Sequence, residues 1–202
     1  MTAIHAYLFP PGSAKMRAVL ESFLVSTAVV ALAEMGDKTQ LLALMLAARY
    51  RSRLPIVLGI AVATLANHAL AAAFGNWVAS LVSAGTLRWI LALSFFAMGA
   101  WMLVPDKADD GGAERAKLGV FGATLVAFFL VEMGDKTQIA TVALAARYAS
   151  FVPVLAGTTL GMLVANVPVV YLGEKLLRRV PLQMLQRIAA ASFAVLGVLV
   201  LL

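Results

Sequence analysis

The chain has 202 residues, 62% hydrophobic and only 13% charged, with no cysteine. A soluble domain carries about a quarter charged residues, so this is a bilayer composition, without disulfides or thiolate metal ligands. The net charge of +6 comes mainly from Arg and Lys in short connections between apolar runs; charge placed there orients a membrane protein, which argues against a nucleic-acid surface.

Residues 1–17, which include Pro10-Pro11-Gly12, read as an N-terminal tail. Lys15 and Arg17 precede an apolar run ending in Ala31-Leu32-Ala33, the outline of a cleaved leader. The run resumes at Leu41 and a matching segment recurs later, so it is expected to stay as a membrane span. Six apolar stretches follow in order: 18–48, 54–82, 87–104, 118–146, 152–172 and 182–202. A helix needs about 20 residues to cross the hydrocarbon core. The first and fourth stretches approach 30 residues, each with a glycine near its centre, Gly36 and Gly134. A kink or break is predicted at both. Trp77, Trp89 and Trp101 lie near span ends and read as interfacial anchors.

Glu34-Met35-Gly36-Asp37-Lys38-Thr39-Gln40 returns unchanged as Glu132-Met133-Gly134-Asp135-Lys136-Thr137-Gln138, 98 residues later. Ala47-Ala48-Arg49-Tyr50, Pro55 and Gly59 recur at the same offset. The chain is therefore a duplication. Three spans per copy, an odd number, would make the second copy enter the membrane from the opposite side. The expected fold is an all-α membrane protein of six transmembrane helices, two inverted three-helix repeats spanning 18–104 and 118–202. Residues 105–117, rich in Asp and Gly, would link them in the cytoplasm. Ten Lys and Arg fall in the connections after spans one, three and five, including Arg49, Arg53, Lys107, Arg115 and Arg178, and four lie on the other side: Lys15, Arg17, Arg88 and Arg147. The positive-inside tendency then places both termini outside the cytoplasm. With no organellar targeting segment legible, a bacterial cytoplasmic (inner) membrane is expected.

Both motifs sit near the middle of their stretches, where each ionised side chain costs at least about 2.5–3.5 kcal/mol. Glu34, Asp37, Glu132 and Asp135 should therefore face one another or a water-filled cavity. On a continuous helix, Glu34 and Asp37 would share a face, as would Glu132 and Asp135. The same spacing permits intrahelical ion pairs of Lys38 with Glu34 and of Lys136 with Glu132. Four carboxylates and two ammonium groups sum to a charge of −2, which one divalent cation or two protons would neutralise. Oxygen ligands alone suit hard cations such as Ca²⁺, Mn²⁺ or Mg²⁺. Thr39, Gln40, Thr137 and Gln138 are candidate neutral oxygens. Asn67 and Asn166 either line the site or bond helix to helix. His68, at the position equivalent to Asn166, reads as a packing residue, and Gly99, Gly157, Gly161 and Gly197 as points of close helix approach.

At the doubled Glu-Met-Gly-Asp-Lys-Thr the sequence resembles the Gdt-type family of cation/proton exchangers, whose signature is Glu-x-Gly-Asp-(Lys/Arg)-(Thr/Ser) in each half. The resemblance runs from about residue 18 to 202. It implies that Glu34, Asp37, Glu132 and Asp135 bind a transported ion, Mn²⁺ or Ca²⁺, and that bacterial members export manganese. The chain is accordingly expected to be no enzyme, to need no resident cofactor, and to exchange a divalent cation for protons. Rival readings are an exporter of a small organic cation or amino acid, an intramembrane aspartyl protease and a passive channel. The Lys after each Asp argues against the protease, whose two carboxyls must share a proton.

Overall fold

The computed structural model describes residues 11–50, 52–104, 119–173 and 182–202. Residues 1–10 of the expected tail and the expected linker 105–117 lie outside the described residues. All regular structure described is helical: α1 Pro11–Glu34, α2 Lys38–Tyr50, α3 Arg53–Leu81, α4 Ala84–Met102, α5 Gly119–Glu132, α6 Lys136–Tyr148, α7 Phe151–Leu172 and α8 Leu182–Leu201. Parts or all of α1, α3, α4 and α7 are long and apolar enough to cross a bilayer; α5 and Gln186–Leu201 are apolar but shorter. The first helix begins at Pro11, inside the expected tail. Proline suits the first helical position, where its missing N–H would have had no intrahelical partner.

The first and fourth apolar stretches each hold two helices. The first helix of each ends at its motif glutamate, Glu34 or Glu132, and the next begins at Lys38 or Lys136. Between them Gly36 has φ +86° and Gly134 φ +78°. An L side chain in that region costs about 1–2 kcal/mol, so glycine allows the chain to leave the helix there. The amide N–H of Gly36 donates to Gln40 Oε1 at 2.9 Å, and that of Gly134 to Gln138 Oε1 at 2.6 Å. In the same turns Asp37 N–H donates to the Glu34 carbonyl and Asp135 N–H to the Glu132 carbonyl, each at 3.1 Å.

The helices pack mostly between the two halves of the chain. α1 lies along α7, α3 along α5, and α4 against α8; α3 also meets α6 and α7. Small residues permit this closeness. A Cβ built on Gly157 would sit 2.5 Å from the Phe23 carbonyl oxygen, and one on Gly59 2.7 Å from Thr124 Cβ. Each contact is the other's counterpart 98 residues away, with Phe23 and Ser26 matching Phe121 and Thr124. Where α4 crosses α8, the rings of Phe95 and Phe193, another such pair, stack at 6.4 Å. Trp77, Trp89 and Trp101 are exposed.

Candidate cation site at the two interrupted helices

Because the backbone leaves the helix between each Glu and its Lys, the spacing of an unbroken helix does not hold there. The expected shared helical face of Glu34 and Asp37, and the intrahelical Lys–Glu pairs, are not what the structure contains. The ion pairs instead cross between the halves: Lys38 Nζ to Asp135 Oδ1 at 3.1 Å and Lys136 Nζ to Asp37 Oδ1 at 3.5 Å. Each motif lysine thus neutralises the other motif's aspartate.

The two glutamates are fully buried. Thr39 Oγ1 donates to Glu34 Oε2, and Thr137 Oγ1 donates to Glu132 Oε2 at 3.1 Å. The second oxygen of each glutamate has no hydrogen-bond partner, nor has Asp135 Oδ2. One carboxylate oxygen from each of Glu34, Glu132 and Asp135 lies within 4.8 Å of the other two. A buried polar atom without a partner costs roughly 1–3 kcal/mol and more when charged. Three convergent acids carrying that cost form an acceptor-only pocket that a cation or protons would satisfy. Since each lysine is spent on an aspartate, neither lysine compensates the glutamate pair.

The polar neighbours are engaged in hydrogen bonds within the protein. Gln40 and Gln138 turn their side-chain oxygens onto the glycine N–H groups of the breaks, and Gln40 Nε2 donates to the Ala165 carbonyl at 2.9 Å. They brace the turns, and Thr39 and Thr137 fix the glutamates. Asn67 Nδ2 donates across to the Phe129 carbonyl on α5 at 2.9 Å, while Asn166 Nδ2 donates to the Met162 carbonyl on its own helix at 3.1 Å. Both asparagine Oδ1 atoms are buried without a partner. Asn67 therefore bonds helix to helix, and both residues keep an unused acceptor. His68 is wholly buried with neither ring nitrogen hydrogen-bonded. Thr64, also wholly buried, was missed in the sequence. Its signal is the spacing Thr64, Asn67, His68, which repeats polar residues on one helical face within an apolar run.

Residues 22–110 and 120–202 each fall within the match to the family described as divalent cation/proton antiporter GDT1. The chain belongs to this family. Its members are transporters rather than enzymes, and the chain is a multi-pass membrane protein that transports divalent cations. It is 49% identical over 180 residues to a Vibrio cholerae protein named "Putative manganese exporter", covering 89% of this chain and 90% of that one. It is also 31% identical over 224 residues to GDT1-like protein 4 of Arabidopsis thaliana, covering 91% and 95%. GDT1-like protein 5 of the same plant is 34% identical over half of this chain and 43% of its own length. No solved structure matches.

Proposed function

We propose that this protein exchanges Mn²⁺ for protons and moves the metal out of the cytoplasm, with Ca²⁺ as the alternative cargo. The observation that carries the reading is the buried trio Glu34, Glu132 and Asp135, within 4.8 Å of one another, with the glutamates left uncompensated by the two lysines. Asp37 completes the set through its pair with Lys136. One divalent cation or two protons neutralise the same oxygens, so the two compete and their binding alternates. The likeness to the Vibrio protein named for manganese export supports Mn²⁺ and the outward direction.

In this reading the chain has six membrane passages, the first and fourth each made of two half-helices, arranged as two inverted repeats in the cytoplasmic membrane. The breaks at Gly36 and Gly134 sit at mid-membrane, and both termini lie outside the cytoplasm. Packing of α1 on α7 and α3 on α5 supports the two-fold arrangement, since the 98-residue offset exchanges one pair for the other. Rocking of one repeat against the other would open the shared site to each face in turn. The test is Mn²⁺ flux in proteoliposomes under an imposed pH gradient, in the natural chain and in Asp37→Asn and Asp135→Asn. Gradient-driven flux that both substitutions abolish in folded protein is expected. Flux unaffected by either one discards the site; silence with both Mn²⁺ and Ca²⁺ would return the organic-cation reading.

A further inference from the structure

Two segments related by the repeat differ sharply in how they pack. At one end of the molecule Gly75, near the end of α3, meets α6: a Cβ built there would lie 2.2 Å from the Val142 carbonyl oxygen and 3.1 Å from Ala145 Cβ. The equivalent position in the other half is Gly173, at the end of α7, facing α2. Among the described residues, a Cβ there would meet nothing closer than Leu44 Cδ1 at 3.9 Å. In place of a contact there is a cavity of about 380 Å³ lined by Leu44, Ala47, Ala48, Arg53, Tyr171 and Gly173, among others. At about 30 Å³ per molecule that is room for roughly a dozen waters.

The asymmetry extends to neighbouring residues. Ala145 and Ala146 are buried, whereas their counterparts Ala47 and Ala48 are half-buried and exposed. Lys136 is 3% exposed and Lys38 19%. Tyr148 Oη donates to Glu21 Oε1 at 3.4 Å, tying the end of α6 to α1; the position equivalent to Glu21 is Gly119, so the other end has no such tie from that site. Leu44 lies six residues from Lys38 on α2, about 9 Å at 1.5 Å per residue. The cavity and the more exposed motif lysine, Lys38, thus lie on the same helix, α2, while their counterparts on α6 are packed.

We infer that the structure is one of two access states. The cavity beside Arg53 is the cation's way in from that face, and the Gly75–Val142–Ala145 contact is the closed gate on the opposite face. In the alternate state the roles exchange: α2 closes on Gly173 while α6 swings off Gly75. Glycine is needed at 75 because the closed gate brings a carbonyl oxygen where a Cβ would stand. This rests on the exchange reading above, and its test separates the two.

The natural chain has no cysteine, so a single one reports directly. Ala47→Cys and Ala145→Cys are reconstituted and treated with a membrane-impermeant maleimide present on both faces. Without metal, A47C is expected to label at least about tenfold faster than A145C, the contrast when the minor state holds a tenth of the population or less. During Mn²⁺ turnover A145C labelling rises and A47C labelling falls. Adding Gly75→Ala to A145C, with folding checked by size-exclusion chromatography, should make the site label without metal. Equal metal-free rates at 47 and 145, or an A145C site shielded throughout sustained flux, overturn the gate. Absence of Mn²⁺ flux in the natural chain counts against exchange, while the labelling contrast still reads the gate.

Discussion

The cross-linked ion pairs make a measurable claim about coupling. Lys136 and Asp37 are 3% and 2% exposed and 3.5 Å apart, so their attraction acts in a poorly screened environment. At an effective dielectric of 20, two unit charges at that distance attract by about 5 kcal/mol. Removing one member of such a pair costs about 3–5 kcal/mol because the other charge stays buried. Lys136→Met should therefore lower the unfolding free energy by that amount, and Lys136→Met with Asp37→Asn should recover most of the loss. Lys38 is 19% exposed, so the same cycle on Lys38 and Asp135 should give a smaller coupling despite its shorter 3.1 Å distance. The assay is denaturant unfolding in detergent, followed by tryptophan fluorescence, for both double-mutant cycles. Coupling under about 0.5 kcal/mol at the Lys136 pair, or a larger value at the Lys38 pair, would refute the reasoning.

Gly36→Ala and Gly134→Ala should each destabilise by about 1–2 kcal/mol, the cost of an L residue at the left-handed φ values found there, read as a drop in thermal midpoint. Thr39→Val removes a hydrogen bond to a buried carboxylate, a contact worth about 1.5–3 kcal/mol; half-saturation for Mn²⁺ should rise by roughly tenfold or more, with the fold retained.

The sequence shows how far local rules reach. Apolar runs and sparse charge mark the membrane class because every span must be apolar over about 20 residues. The seven letters that recur at a fixed offset mark a duplication, and the Glu-Met-Gly-Asp-Lys-Thr within them carries the family resemblance. The ion pairing was not legible: i to i+4 arithmetic assumes a continuous helix, and a positive φ at Gly36 and Gly134 turns each lysine out of that register toward the other half. Gln40 and Gln138 were read as oxygens for an ion because nothing in a linear sequence announces that a break leaves an amide N–H to be satisfied. The start of α1 at Pro11 was hidden for a simpler reason. Proline and glycine read as a tail in general, yet proline is tolerated at a helix's first position.

The two glutamates make the last prediction. Their pocket holds acceptors within 4.8 Å of one another, and two ionised carboxylates at that separation repel by about 3.5 kcal/mol at an effective dielectric of 20. A site built to receive a cation is therefore costly when none is bound, and removing charge from it should stabilise the protein while ending its use. Glu34→Gln keeps the shape of the side chain and leaves an oxygen to accept from Thr39. In metal-free protein at alkaline pH, where protons do not take the metal's place, its thermal midpoint, and that of Glu132→Gln, should rise by several degrees, on the scale where 1 kcal/mol shifts a domain of about 200 residues by 2–4 °C. Adding Mn²⁺ should then raise the midpoint of the natural chain and leave both variants unmoved, because binding to the folded state alone is what stabilises. If metal-free Glu34→Gln melted lower than the natural chain, the glutamates would be structural partners rather than a charge held in wait for cargo.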